Sequence, residues 1–304
     1  EKGHPLYLIV DEYDNFTNVI LSEHGQKMFH DLTHASGFYR EYFKQFKGMF
    51  DRIFLMGVSP ITLDDLSSGY NIDWNISTDP RFNAMMGFDE TEVRKMFRYY
   101  RQNNILTGDI ETMITEMKPW YNNYCFARMA LDNDRVFNCD MTLYYLRNQT
   151  DFHRAPEEMV DKNIRTDYSK LKMLARIDHD SSQEGSRMST IEEIAAKGEI
   201  LVNLHTSFPA EKVTDIDNFR SLLYYYGLLT ICGTRGDLLK MCIPNNCVRE
   251  QYFGFLRDYY QKQSSIDLHY LNVMLTDLAY DGQWKPFFES IALAYRENSS
   301  VRDA

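Results

Sequence analysis

The run Leu6-Tyr-Leu-Ile-Val10 leads straight into Asp11-Glu12. Five consecutive apolar residues without polar alternation read as a strand buried on both faces, as in parallel sheets. Such a strand needs neighbours on either side and helices over both faces. Only five residues precede it. The expectation is therefore a domain that starts upstream, in a natural protein longer at its N-terminus. A second run, Asp51-Arg-Ile-Phe-Leu-Met-Gly-Val58, reads as a neighbouring buried strand. Ser59-Pro60 ends it, because proline restricts the residue before it and donates no backbone hydrogen bond. Trp74 to Ser77 is expected to form a short third strand.

Between and after these runs the period is helical. Residues 17–48 read as one or two helices. Val93, Met96, Phe97 and Tyr100 recur at i, i+3, i+4, i+7 behind an Asp89…Glu92 capping-box pattern. Ile110, Met113, Ile114 and Met117 predict a second amphipathic helix, closed by Pro119. Residues 140–177 look helical in pieces, His179–Arg187 reads as a polar loop, and Ser189 with Glu192 predicts another helix start. Phe219, Leu222, Leu223 and Tyr226 repeat the helical spacing. Leu228–Cys232 and Leu238–Ile243 around Gly233-Thr-Arg-Gly236 predict a hairpin. Pro244 ends it, Asn245 or Asn246 caps the next helix, and two more helices are expected near 266–281 and 284–297. Helix, hairpin, helix is the outline of a winged-helix-like module.

Composition limits the function classes. Apolar residues are 44% and charged residues 25%, so most of the chain can fold around a core. Gly 15 and Pro 8 are few for 304 residues, which disfavours a loop-rich all-β fold. The net charge of -11 argues against nonspecific nucleic-acid binding by the whole molecule. No apolar run reaches the roughly 18 residues of a membrane span. The cysteines (Cys125, Cys139, Cys232, Cys242, Cys247) lack CxxC spacing and read as reduced thiols of a cytoplasmic protein. His30 and His34 have a helical zinc spacing without a third ligand, so a solvated or packing pair is the expected role. Asp178 to Glu184 has Gln183 where a Ca²⁺ loop needs glycine, which excludes that reading.

The chemistry sits in the first strand. An apolar strand ending in Asp-Glu has the Walker B pattern, and the C-terminal strand ends of an α/β sheet open onto the crevice where phosphates bind. Asp11 would hold Mg²⁺, which prefers oxygen ligands. Glu12 would polarise the water that attacks a γ-phosphate. Ser59, one residue past the second apolar run, is the candidate γ-phosphate sensor, with Thr62 as the fallback.

The segments LIVDEYDNF, RIFLMGVSPITLDDLSSGYNI, NISTDPRFNAMMGFDETEV, KPWYNNYCFA, RVFNCDMTLYYL, FRSLLYYYGLLTI and IPNNCVREQYF resemble the predicted AAA-ATPase-like family of bacterial proteins. The resemblance spans residues 6–304. It implies an α/β remnant of a parallel-sheet P-loop NTPase core, followed by a mostly α-helical region with a winged-helix-like hairpin. In that family a C-terminal PD-(D/E)XK nuclease-like domain follows. Asp11 and Glu12 carry over as the Walker B acids, and Ser59 sits at the sensor-like strand end. The implied organisation is a partial NTPase core (1–87), a helical lid (88–213), a winged-helix-like module (214–262) and a helical segment (263–304).

One departure is large. No GxxxxGK[ST] occurs in the chain, and that loop supplies the backbone N–H groups and lysine that grip the phosphates. No nuclease core follows either. The expectation is a fragment of an ATP-driven switch, its cofactors ATP and Mg²⁺, inactive as this chain alone. Arg94 and Arg98, on the first lid helix, are candidates for a γ-phosphate contact beside the plainer role of solvated charges. The alternative is a nonenzymatic protein-interaction or DNA-binding module on a degenerate ATPase scaffold. Between Gly233 and Lys262, Arg235, Lys240, Arg249, Arg257 and Lys262 face Asp237, Glu250 and Asp258, a thin basic surplus. A nucleic acid, a protein partner and a second copy therefore stay open as partners.

Overall fold

A computed structural model describes residues 4–33, 37–46, 48–61, 74–133, 135–161, 169–175, 181–209, 212–213, 215–262 and 267–298. It divides into two compact units, residues 1–253 and 254–304.

The first unit opens with β1 (Tyr7–Val10), α1 (Asn15–Thr33), α2 (Phe38–Lys44) and β2 (Arg52–Leu55). The two strands pair in parallel, Tyr7 opposite Arg52 and Val10 opposite Leu55. A parallel pair requires a crossover of a dozen or more residues, and α1 and α2 supply it. Val10, Leu55 and Phe46 pack on the buried rings of Tyr13, Tyr39 and Phe43. The other face is open: Tyr7 is 63% and Ile9 67% exposed. This corrects the expectation of a strand buried on both faces. Among the described residues β1 pairs with β2 alone, so alternate side chains of the apolar run meet solvent.

Trp74–Ser77 forms no strand. Its backbone bonds are spent in turns: Ser77 N–H donates to the Asn75 side chain, and Asp79 N–H to the Ile76 carbonyl. The Trp74 ring stacks edge-on to Phe82 and lies 4.7 Å under the Arg81 guanidinium.

The helical part begins with α3 (Glu90–Gln102), α4 (Ile110–Tyr121) and α5 (Cys139–Phe152). Each has a polar cap. Asp89 and Glu92 exchange both bonds of a capping box, Asp109 accepts from Thr112 N–H, and Asn138 accepts from Met141 N–H. Val93, Phe97, Ile110, Met113, Ile114, Met117, Tyr121, Met141 and Tyr145 meet in one buried cluster. Pro119 lies inside α4 rather than closing it. It deletes one N–H two residues before the end, and the buried Tyr121 holds the last turn in the core. Arg94 bridges the helices, bonding Glu90 at 2.8 Å and Glu111 at 2.7 and 2.9 Å. Arg94 holds the Glu111 carboxyl below its usual range, and Lys118, at 2.6 Å, followed by Arg94 does the same for Glu90. Arg94 thus ties the two helices together through Glu90 and Glu111.

Beyond α6 (Ser169–Ala175), α7 (Ser181–Lys197) is already helical where a polar loop was expected. Arg187, Met188, Ile191 and Ile194 line its buried side, a stripe that the Ser- and Gly-rich first turns do not announce. His179 lies outside the described residues.

A sheet follows that the hairpin signal indicates only in part. β3 (Glu199–Val202), α8 (Ile216–Tyr225), β4 (Thr230–Arg235) and β5 (Leu238–Cys242) give an antiparallel sheet of order β3-β5-β4. The turn is Gly236-Asp237, between the partners Arg235 and Leu238, later than the expected Gly233–Gly236. Gly236 takes φ 61°, as such two-residue turns require. Asn245 caps α9 (Asn246–Gln261), its side-chain oxygen accepting from Val248 N–H.

The segment after α4 ties helices to sheet. Asn123 donates to the Pro244 carbonyl and Asn245 to the Asn122 carbonyl, while Cys125 N–H bonds the Thr230 hydroxyl. Asn83 accepts from the N–H groups of Phe126 and Ala127. In the second unit α10 (Leu268–Asp281) and α11 (Trp284–Asn298) pack on each other, with Asp267 capping α10 and Gly282 ending it at φ 67°.

These contacts set the expected costs of two substitutions. Asp89→Ala removes a cap worth about 1 kcal/mol. Phe97→Ala opens a cavity in the helical core and costs about 3–5 kcal/mol. Urea unfolding midpoints of the purified chain should rank wild type, Asp89→Ala, Phe97→Ala in falling order.

Candidate functional site

The parallel register puts the C-terminal ends of β1 and β2 side by side, so the segments after Val10 and Leu55 emerge together. Two bonds stitch them: Met56 N–H to the Val10 carbonyl at 2.8 Å and Tyr13 N–H to the Met56 carbonyl at 3.1 Å.

Asp11 and Glu12 are exposed at this end. Asp11 accepts its neighbour's N–H on Oδ1 at 2.9 Å. Glu12 adopts φ 51°, in the left-handed region that residues with a Cβ rarely enter. That turn starts α1 at once, since Asn15 N–H bonds the Glu12 carbonyl and the Asn15 amide donates to Glu12 Oε2 at 3.2 Å. The two carboxylates form an outward, oxygen-rich edge at the mouth of a parallel pair.

Behind them the residues turn inward. Tyr13 and Asp14 are buried. The Tyr13 hydroxyl donates to the Ser59 carbonyl at 3.1 Å. The Asp14 carboxylate accepts from the N–H groups of Val58 and Ser59 and from the Asn18 amide. Burial, with the charge of Asp14 beside them, pushes the Tyr13, Tyr39 and Tyr226 hydroxyls upward, so all three stay protonated around this carboxylate. Gly57 fits here because it has no side chain. A Cβ would stand 2.3 Å from Asp14 Oδ1 and 2.4 Å from the Tyr13 ring.

Ser59 follows β2 as its sequence position implies, but it is buried, with 1% of its surface exposed. Its Oγ accepts from Ile61 N–H at 3.3 Å, the local turn that a serine before a short helical start makes. Thr62 lies outside the described residues, as do the side chain of His30 and the whole of His34. Asp14 is the residue that sequence reasoning passed over. Its signal was its position: the third acid in DEYD, at the mouth of α1, where an inward carboxylate can meet the loop of the adjacent strand. Among the described residues no group of three or more His, Cys, Asp or Glu side chains is placed to hold a metal ion. None of their helices is long and apolar enough to cross a membrane.

Asp14→Ala is expected to cost about 3 kcal/mol, because two backbone donors lose a charged acceptor. Gly57→Ala should cost about 1–3 kcal/mol by overfilling the same spot. Thermal unfolding of both variants beside Asp11→Ala, which touches only the exposed edge, should show the first two lowered and the third unchanged.

No curated protein and no solved structure matches the chain. Over residues 1–67, which hold both parallel strands and the acidic edge between them, the chain is similar to the family described as predicted AAA-ATPase.

Proposed function

We propose that this chain carries part of an ATP-handling switch, with Asp11 and Glu12 at its nucleotide edge. The observation that carries the reading is the exposed pair at the shared C-terminal end of two parallel strands, inside the segment that resembles a predicted AAA-ATPase. The donor set fits Mg²⁺, since both acids offer exposed carboxylate oxygens and the ion keeps several waters. Bound there, the ion would neutralise phosphate charge. Asp11 would be its ligand or orient one of its waters. Glu12 would take the proton of an attacking water, its carboxylate steadied by Asn15. Ser59 would sense the γ-phosphate from the neighbouring segment, and its burial means that a nucleotide reaches its hydroxyl only where the loop after β2 shifts. Thr62 is the alternative sensor.

The triphosphate grip is the part this sequence does not supply, because no GxxxxGK[ST] is present. The chain by itself is therefore inactive, and the intact switch couples nucleotide state to the helical region and to a nuclease-like domain. Magnesium ATP at millimolar concentration should leave the melting temperature of this chain unshifted; micromolar binding would overturn the inactivity. In a longer protein that includes a phosphate loop, Glu12→Gln should abolish hydrolysis and spare nucleotide binding. Unchanged turnover would remove Glu12 from the mechanism.

A second reading rests on the sheet. A strand, then a helix, then a hairpin whose last strand lies in the middle is compatible with a winged-helix-like module. Phe219, Leu222 and Leu223 of α8 are buried, which leaves this helix little free surface for a DNA groove and favours a protein partner. Salt-sensitive retention of duplex DNA by the full chain would reverse that preference.

A further inference from the structure

Helix α11 repeats apolar residues at Trp284, Phe288, Ile291 and Tyr295. Steps of four, three and four are a heptad spacing, which lays these side chains in one stripe along the helix. All four are exposed: Trp284 by 60%, Phe288 by 53%, Ile291 by 44% and Tyr295 by 71%. The Trp284 and Phe288 rings stand 6.4 Å apart, so the stripe opens as a continuous aromatic surface. The packing of α11 on α10 leaves it uncovered. Among the described side chains of the two helices, Met274 alone is buried.

We propose that this stripe is a dimer interface, in which α11 pairs with α11 of a second copy of the chain about a two-fold axis.

A helical pair over residues 268–298 is too small to build a core of its own. Units of that size are completed by disulfides, metals or association. The pair contains no cysteine, and no cluster of metal ligands occurs among the described residues. Association with another surface is what remains.

Charge selects that surface. The stripe holds no charged residue, while Lys285, Glu289 and Arg296 gather on another side of α11, Lys285 and Glu289 at 3.6 Å. A highly charged partner finds nothing to grip there. Two identical uncharged stripes meet without repulsion, as an isologous interface requires. In a chain of net charge -11 this matters, because acidic surface repels a second copy.

The area is sufficient. At ~150–250 Å² for each aromatic side chain, the three rings with Ile291 expose about 400 Å² of apolar surface. Homodimer interfaces are about 65% apolar, so the stripe and its polar rim would bury roughly 600 Å² per partner. Specific interfaces begin at about that size, which fits a dimer that forms and dissociates with concentration.

Sedimentation velocity of the full chain over a dilution series is the test. The expected result is a monomer–dimer equilibrium at micromolar concentration, with no larger species. Phe288→Glu combined with Ile291→Glu puts two carboxylates into the stripe and should weaken the dimer at least tenfold, with helix content by circular dichroism retained. Leu293 is also exposed but lies half a turn from the stripe, so Leu293→Glu should leave association unchanged. Trp284 reports the contact without any added charge. The emission difference between the wild type and Trp284→Phe separates it from Trp74 and Trp120, and it should move to shorter wavelength as the dimer forms. If the double variant loses helix content, this emission decides. A wild type that stays monomeric throughout the series would overturn the proposal and give the stripe to another occupant. So would a dimer that Leu293→Glu weakens as much as the double variant, or one that forms with the Trp284 emission unmoved.

Discussion

The first unit turns on one buried carboxylate. Asp14 accepts the N–H groups of Val58 and Ser59 across the end of the strand pair, and Asn18 secures it from its own helix. A two-stranded parallel pair is weak by itself, since parallel pairing lacks the hairpin that holds antiparallel strands together. The carboxylate replaces that covalent restraint with charge-assisted bonds, which are about twice as strong as neutral ones. It demands Gly57 at its side, and the Tyr13 ring closes over the same spot. The exposed positions of Asp11 and Glu12 depend on this clamp, because the turn that presents them is the turn that carries Tyr13 and Asp14 inward.

The helical region and the small sheet are joined by a comparable economy of backbone groups. The stretch from Asn122 to Ala127 has no regular structure, yet Asn83, Thr230, Asn245 and the Pro244 carbonyl satisfy much of it. Buried irregular backbone persists only where such partners exist. This is the physical reason that the polar run Tyr121-Asn-Asn-Tyr124 can lead from the buried Tyr121 through half-buried Asn122 and Tyr124 to the buried Cys125. Exposed ion pairs such as Arg81–Asp79 contribute little beside it.

The clearest parts of the sequence were those in which one local rule decides the outcome. The Asp89…Glu92 pair announces a helix start because both bonds of a capping box close within one turn. Ile110, Met113, Ile114 and Met117 announce a buried stripe because helical spacing alone brings them to one face. The hairpin was visible in Gly236 and the runs around it. Other parts were hidden for stated reasons. β3 is four residues long and forms only because β5 offers a free edge. The start of α7 is polar in sequence, and among its described side chains the buried stripe begins with Arg187. Ser59 had the expected position along the chain, yet its burial comes from Asp14 and Tyr13, residues 45 and 46 positions away.

By itself the sequence determined the helices with capped starts, the two apolar runs that become β1 and β2, and the acidic residues that follow the first of them. These are short-range properties, set by hydrogen-bond chemistry and side-chain periodicity within a few residues. Only the tertiary structure decided that one face of the apolar strand meets solvent, that Arg94 is spent on two carboxylates, that Asp14 rather than Asp11 or Glu12 points inward, and that Cys232 bulges out of the ladder. Each of these depends on which distant backbone group or charge arrives alongside, and no local pattern encodes that arrival.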